Sequence, residues 1–195
     1  ELYVPPQADE ELREHIRERL GLDKSVPEQY VVFVDGLVHG DLGESTVTGR
    51  PVTKDLWDRL PATLEMSIFA LTFAVVVGVP LGVIAGVKRD GPVDFTVRGV
   101  TLVGMALPSF WLGLVFILIF FVRLGWLPGP VGRLPLGAAA PEGITELYTL
   151  DSLLRGDFSM WWLATRHLIM PGATLGIVIM APITRVARAS MVEVM

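Results

Sequence analysis

The sequence predicts an all-α fold, a polytopic membrane helix bundle. Charges are segregated rather than interleaved, apolar blocks have the length of a bilayer crossing, and small residues recur along one helix face. Residues 1–60 carry thirteen Asp/Glu and seven Lys/Arg, residues 62–87 carry only Glu65, and residues 99–122 carry no charge. Soluble helices and strands instead alternate polar and apolar residues at their own period. Half of the 195 residues are hydrophobic and the mean hydropathy is +0.53.

Three blocks are expected to cross the membrane, at about 62–87, 99–122 and 168–186. A spanning helix needs roughly 20 mostly apolar residues. The first two blocks meet this; the third, "LIMPGATLGIVIMAPIT", is shorter but free of charge. The competing reading, a buried core helix, weakens when three such blocks share one small chain. Each block contains proline: Pro80, Pro108, and Pro171 with Pro182. Proline is tolerated in membrane helices where neighbours or hydroxyls satisfy the freed carbonyl. In "GMALPSFWLGL" (104–114) a kink at Pro108 is expected, with Ser109 supplying the hydroxyl.

Ala70, Ala74, Gly78, Gly82 and Gly86 recur every fourth residue. On a helix this is one stripe of small side chains, the pattern that lets backbones approach closely in lipid. Ser109 with Gly113, and Gly172 with Gly176, repeat the spacing.

The polar segments are expected to lie outside the bilayer. Two domains follow: a helical extracytoplasmic segment over 1–60 and a transmembrane domain over 61–195. "DEELREHIRERLG" (9–21) predicts a short helix capped by Asp9, with Leu12, Ile16 and Leu20 on one side and Gly21 at its end. "SVPE" (25–28) is a capping-box pattern opening a second helix through Tyr30, Val34, Leu37 and Val38. A long outer loop is expected over 123–167, irregular in its first half, with Trp161 and Trp162 as interfacial residues and His167 at the membrane edge.

Lys88, Arg89 and Arg98 flank the short 88–98 link, and Arg185 and Arg188 follow the third block. These places share one side, which the positive-inside rule makes cytoplasmic. Residues 1–60 then lie outside. Since the chain begins with Glu, it reads as a fragment with at least one span ahead of it.

Chemistry is sparse. There is no cysteine, no basic run suited to nucleic acid, and no Walker A, His-Glu-x-x-His or Gly-x-Ser-x-Gly pattern. Catalytic, cofactor-binding and metal-binding residues are none by this reading. The apolar blocks lack acidic or His residues apart from Glu65 near an end, which weakens an ion- or proton-coupled carrier. That carrier, and a non-transporting membrane scaffold or membrane enzyme, stand as alternatives to a transport subunit.

Several segments together resemble a known family. "GLDKSVPEQYVVFVDGLVHGDLGES", "GRPVTKDLWDRLPATLEMSIFAL", "GVPLGVIAGVKRDGPVDFTVRG", "ALPSFWLGLVFILIFFVRLGWLPGPV" and "LIMPGATLGIVIMAPITRVARASMVEVM" are similar, in order, to dipeptide/oligopeptide permease subunits of ABC importers. The likeness runs from about Gly21 to Met195. The resemblance implies the type I ABC importer transmembrane fold, with three spans present of an expected six. It implies an inner-membrane, binding-protein-dependent permease moving peptides or a related small solute by alternating access. The implied partners are a second permease, two cytoplasmic ATPase subunits that bind ATP and Mg, and an extracytoplasmic solute-binding protein. On this footing Pro108 and Ser109 are translocation-path candidates. Thr184, Arg185, Arg188, Ser190 and Met191 lead toward a cytoplasmic coupling loop that docks the ATPase and lies beyond Met195.

Overall fold

In the computed structural model, the described residues are 24–195 together with Asp9 and Glu11. The helix expected over 9–21 therefore lies outside the described residues. Apart from one isolated bridge between Glu44 and Pro51, the regular structure of the described residues is helical. The chain divides into two compact units, Glu1–Leu60 and Pro61–Met195.

In the first unit, α1 spans Val26–Val38. Ser25 and Glu28 form a reciprocal capping box: Ser25 N–H donates to Glu28 Oε2 at 3.0 Å and Ser25 Oγ at 2.8 Å. The motif satisfies amide donors that every helix start leaves without an intrahelical partner. The following loop is held by local bonds. Thr48 Oγ1 donates to Asp55 Oδ2 at 2.5 Å, and Arg50 pairs with both Asp55 and Asp58.

Helix α2 runs unbroken over Val52–Val87, with Pro61 and Pro80 inside it. A tight turn at Asp90, in the left-handed region (φ 60°), leads into α3, Pro92–Ala106. Asp tolerates that conformation better than most residues. Then α4 covers Ser109–Phe116 and continues as a π-helical segment, Ile117–Arg123, where Leu124 N–H reaches back five residues to Ile119 O at 3.0 Å. Residues 124–147 are irregular, α5 spans Tyr148–Leu154, and α6 runs over Phe158–Val194.

Two expectations are corrected. The block 99–122 is not one kinked span: α3 and α4 meet at a break with a bend of 105°. Leu107 (ψ 129°) and Pro108 (ψ 134°) are both extended. Proline lacks an amide donor and disfavours helical geometry in the residue before it. Ser109 therefore satisfies no carbonyl freed inside a helix; it is the first residue of α4. Second, the 123–167 segment is not all loop, since it contains α5 and the first ten residues of α6. Asp157 caps α6 by accepting from Met160 N–H at 2.9 Å.

By length and composition α2 and α6 each suffice to cross a membrane, and the bent α3–α4 pair is long and apolar enough to make a third only if its two halves together form one broken span. Helix α6 is the hub. Helices α3, α4 and α5 all pack on it, and its buried residues run from Ala164 to Thr184. The bend at Pro108 lets α3 and α4 both reach this one helix. Gly104 of α3 lies under Ile177 and Gly113 of α4 under Thr174.

Candidate functional site

The small-residue stripe of α2 faces α6. Ala70, Ala74, Gly78, Gly82 and Gly86 are all buried. A Cβ at Gly82 would stand 2.6 Å from Thr184 O and 2.7 Å from Ala187 Cβ, and one at Gly86 would stand 2.7 Å from Met191 Cβ. Phe73 and Phe69 of α2 in turn fill the space over Gly176 and Gly172 of α6. Over sixteen residues of helix the stripe extends about 24 Å, most of a bilayer core. Large apolar residues on other faces of α2, such as Leu71 and Val76, are exposed, at 53% and 65%. That is the arrangement of a helix whose surroundings are apolar, since water would oppose so much exposed hydrocarbon.

A cavity of about 660 Å³ lies in the second unit. Thr63 and Met66 border it from α2, Ser109, Phe110 and Gly113 from α4, and His167, Pro171 and Thr174 from α6. Arg133 reaches it from the irregular segment and is the one Lys, Arg, Asp or Glu among the described residues of its wall. The lining is chiefly apolar with a few hydroxyls, the composition of a small-solute site. Ser109 stands in the wall; Pro108 does not, and acts on it by setting where α4 begins.

Arg133 is fixed by a network the sequence reading missed. Its Nη2 donates to Glu65 Oε2 at 2.8 Å and to Glu146 O at 2.7 Å, and its guanidinium lies 3.5 Å from the centroid of the Tyr148 ring. Glu65 Oε1 also accepts from Thr149 N–H and Oγ1, each at 2.6 Å. Glu65 is 5% exposed. A carboxylate so buried requires a partner and several donors. The lone charge in an apolar block was the available signal; the identity of its partner, sixty-eight positions away, was not in the local sequence.

A second buried pair ties α3 to α6 at the other end. Arg188 Nε and Nη2 donate to Asp94 Oδ1 and Oδ2 at 2.5 and 2.6 Å, the bidentate fork geometry of guanidinium and carboxylate. Asp94 is fully buried and also accepts from Asp90 N–H at 3.1 Å. Arg188 is thus engaged within the chain, whereas Arg185 Nη2 donates to Met105 Sδ at 2.7 Å. His167, placed by sequence at a membrane edge, is buried, and its Nδ1 lies 2.8 Å from Leu163 O. No group of three or more metal-ligating side chains occurs among the described residues.

Comparison with known proteins gives this arrangement a context. A family model described as "Binding-protein-dependent transport system inner membrane component" matches residues 78–195. The probable D,D-dipeptide transport system permease protein DdpB of Escherichia coli is 41% identical over 192 residues, covering 98% of this chain and 56% of its own length. A dipeptide transport system permease protein of Alkalihalophilus pseudofirmus is 37% identical over 193 residues, covering 97% of this chain and 56% of its own. A putrescine export system permease protein of Escherichia coli is 35% identical over 169 residues, covering 85% and 52%. The chain spans about half the length of the curated relatives it matches. The matched segment holds the break at Pro108, the Asp94–Arg188 pair and the whole of α6, on which α3, α4 and α5 pack, and the chain belongs to the family of binding-protein-dependent transport system inner membrane components.

Proposed function

We propose that this protein is the permease subunit of an ATP-driven importer and forms part of the translocation path for a peptide or a related small solute. The observation that carries the reading is the cavity of about 660 Å³ whose wall combines the start of a broken helix, the hub helix α6 and a single pinned arginine. A broken helix bordering a mostly apolar cavity suits alternating access. Its two halves turn about Leu107–Pro108, while the α2–α6 seam at Ala70, Ala74, Gly78, Gly82 and Gly86 serves as the rigid body. In a two-state transporter the energy enters as differential stability of outward- and inward-facing states. On this reading the chain supplies a path and a lever, and hydrolysis takes place on two cytoplasmic ATPase subunits that bind ATP and Mg. A second permease and an extracytoplasmic solute-binding protein complete the assembly. Residues 1–60 and the connection after Arg123 lie outside; the 88–98 link and the end bearing Arg185 and Arg188 lie inside, toward the ATPases. Peptide is favoured as cargo by the names of two of the relatives, while the putrescine exporter marks cargo and direction as properties to be measured.

The test is reconstitution of the assembled transporter in liposomes. Uptake of a labelled dipeptide should require both ATP inside and the binding protein outside. Uptake driven by an ion gradient without ATP would assign the protein to coupled carriers instead. In the same assay Pro108→Ala should reduce ATP-coupled uptake several-fold while the complex still assembles. Unchanged uptake would reduce Pro108 to a packing element.

A further inference from the structure

A second cavity, of about 490 Å³, lies among the turn after α2, helix α3 and helix α6. Arg89, Arg98, Arg185 and Arg188 all border it, and Asp90 is the one acidic residue among the described residues of its lining. Arg188 is matched by the buried Asp94, and Arg89 Nε lies 3.3 Å from Asp90 Oδ2. Among the described residues the remaining two form no salt bridge, although Asp94 lies within electrostatic reach of Arg98 as well. The Arg98 guanidinium sits 5.8 Å from the Phe95 ring centroid, and Arg185 donates to the Met105 thioether, a weak acceptor. Four arginines against Asp90 and Asp94 leave two positive charges uncompensated around one cleft.

The chemistry of such a cleft is specific. Guanidinium forks match phosphate oxygens in pairs, and a cleft between membrane helices strengthens that attraction relative to open water. The same cleft is lined by Val97, Leu102 and Val192. Beyond it, α3 exposes Phe95 and Leu102 at 64% each and Val103 at 57%, so an apolar strip leads away from the arginines. A ligand that meets both surfaces carries an anionic head and a hydrocarbon tail. Basic pockets between membrane helices on the cytoplasmic side are the places where anionic lipid headgroups bind.

We propose that this cavity is a binding site for an anionic glycerophospholipid, with Arg98 and Arg185 holding the headgroup phosphate and the outer face of α3 carrying an acyl chain. The proposal rests on the membrane reading and the orientation given above, and on no assumption about cargo. A bound lipid would bridge α3 and α6 beside the Asp94–Arg188 pair and so stiffen the end of the hub helix.

The experiment uses the full-length protein in its assembled complex, in nanodiscs of phosphatidylcholine mixed with phosphatidylglycerol, followed by detergent exchange and quantitation of retained lipid. The wild type should retain phosphatidylglycerol several-fold over phosphatidylcholine. The double variant R98Q/R185Q should lose that preference, while Arg123→Gln, which removes an arginine outside the cavity, should keep it. Equal retention by the double variant and the wild type overturns the proposal. A photoactivatable phosphatidylglycerol tests the wild type alone, independent of how the variant folds. Its crosslinks should fall on α3 around Val97–Leu102 and on α6 around Val192, and crosslinks confined elsewhere overturn the assignment. Displacement of the lipid by inorganic phosphate at equal concentration would make this a site for a free anion and also overturn it. Neither readout involves transport, so a failure of the importer reading leaves these results interpretable. Impermeant labelling of Lys88→Cys tests orientation separately.

Discussion

Asp94 and Arg188 stand ninety-four positions apart and meet in a bidentate pair, with Asp94 wholly buried. Removing one member strands the other away from water, which is worse than removing both. Asp94→Ala and Arg188→Ala should each lower the melting temperature of the purified protein. The double variant should lose less than the worse single variant, well short of the sum of the two. Additive losses would mean that the two residues act separately. At the other end of the chain, the Ser25 hydroxyl, followed by the Ser25 amide, holds the Glu28 carboxyl below its ordinary value of 4.5. A carboxylate depressed in the folded state adds stability that is present above the unfolded pKa and lost as pH falls through the folded one. The helicity of α1 should therefore be retained above 4.5 and decline below it, and Ser25→Ala should weaken that dependence. Circular dichroism of a peptide spanning 24–39 against pH is the check, with an unchanged profile in the variant counting against the capping box.

The seam between α2 and α6 is set by glycine for a steric reason. At Gly82 an added Cβ would meet a backbone carbonyl and a backbone amide of α6, neither of which can rotate away. Gly82→Ala should cost about 1–3 kcal/mol, the usual range for overpacking. Gly99, in the middle of α3, has nothing within 4 Å of the same added atom. Gly99→Ala should therefore stabilise by about 0.5–1 kcal/mol through helix propensity. Thermal unfolding of the two variants side by side separates close approach from propensity, because the same substitution is expected to have opposite signs. The stripe itself was legible from its four-residue spacing. Its partner surface was not, because Met180, Thr184, Ala187 and Met191 carry no marker of which helix they face.

For the whole molecule, the orientation is the property that charge counting determines least firmly, since arginines flank the spans on both sides. The chain has no cysteine, so single-cysteine variants report cleanly. Val47 and Ile144 are 91% and 98% exposed. Val47→Cys and Ile144→Cys in intact cells should react with an impermeant maleimide, whereas Lys88→Cys should react only after the membrane is permeabilised. The reverse pattern would invert the proposed topology and move the arginine-lined cavity to the outer face.

Segregated charge and apolar blocks of bilayer length were enough, by themselves, to determine an all-α membrane fold with two to three helical segments long enough to cross. These signals are local, because every peptide group in lipid must be bonded within its own helix. The small-residue stripe and the capping box at Ser25 were equally local. Tertiary structure alone decided that Pro108 ends one helix and starts another rather than kinking one, since that depends on α3 and α4 both packing on α6. It alone decided that Glu65 belongs with Arg133 and Asp94 with Arg188. A buried charge shows in the sequence as an anomaly, but its partner is chosen by which helices come together, and that choice is made by packing across the bundle.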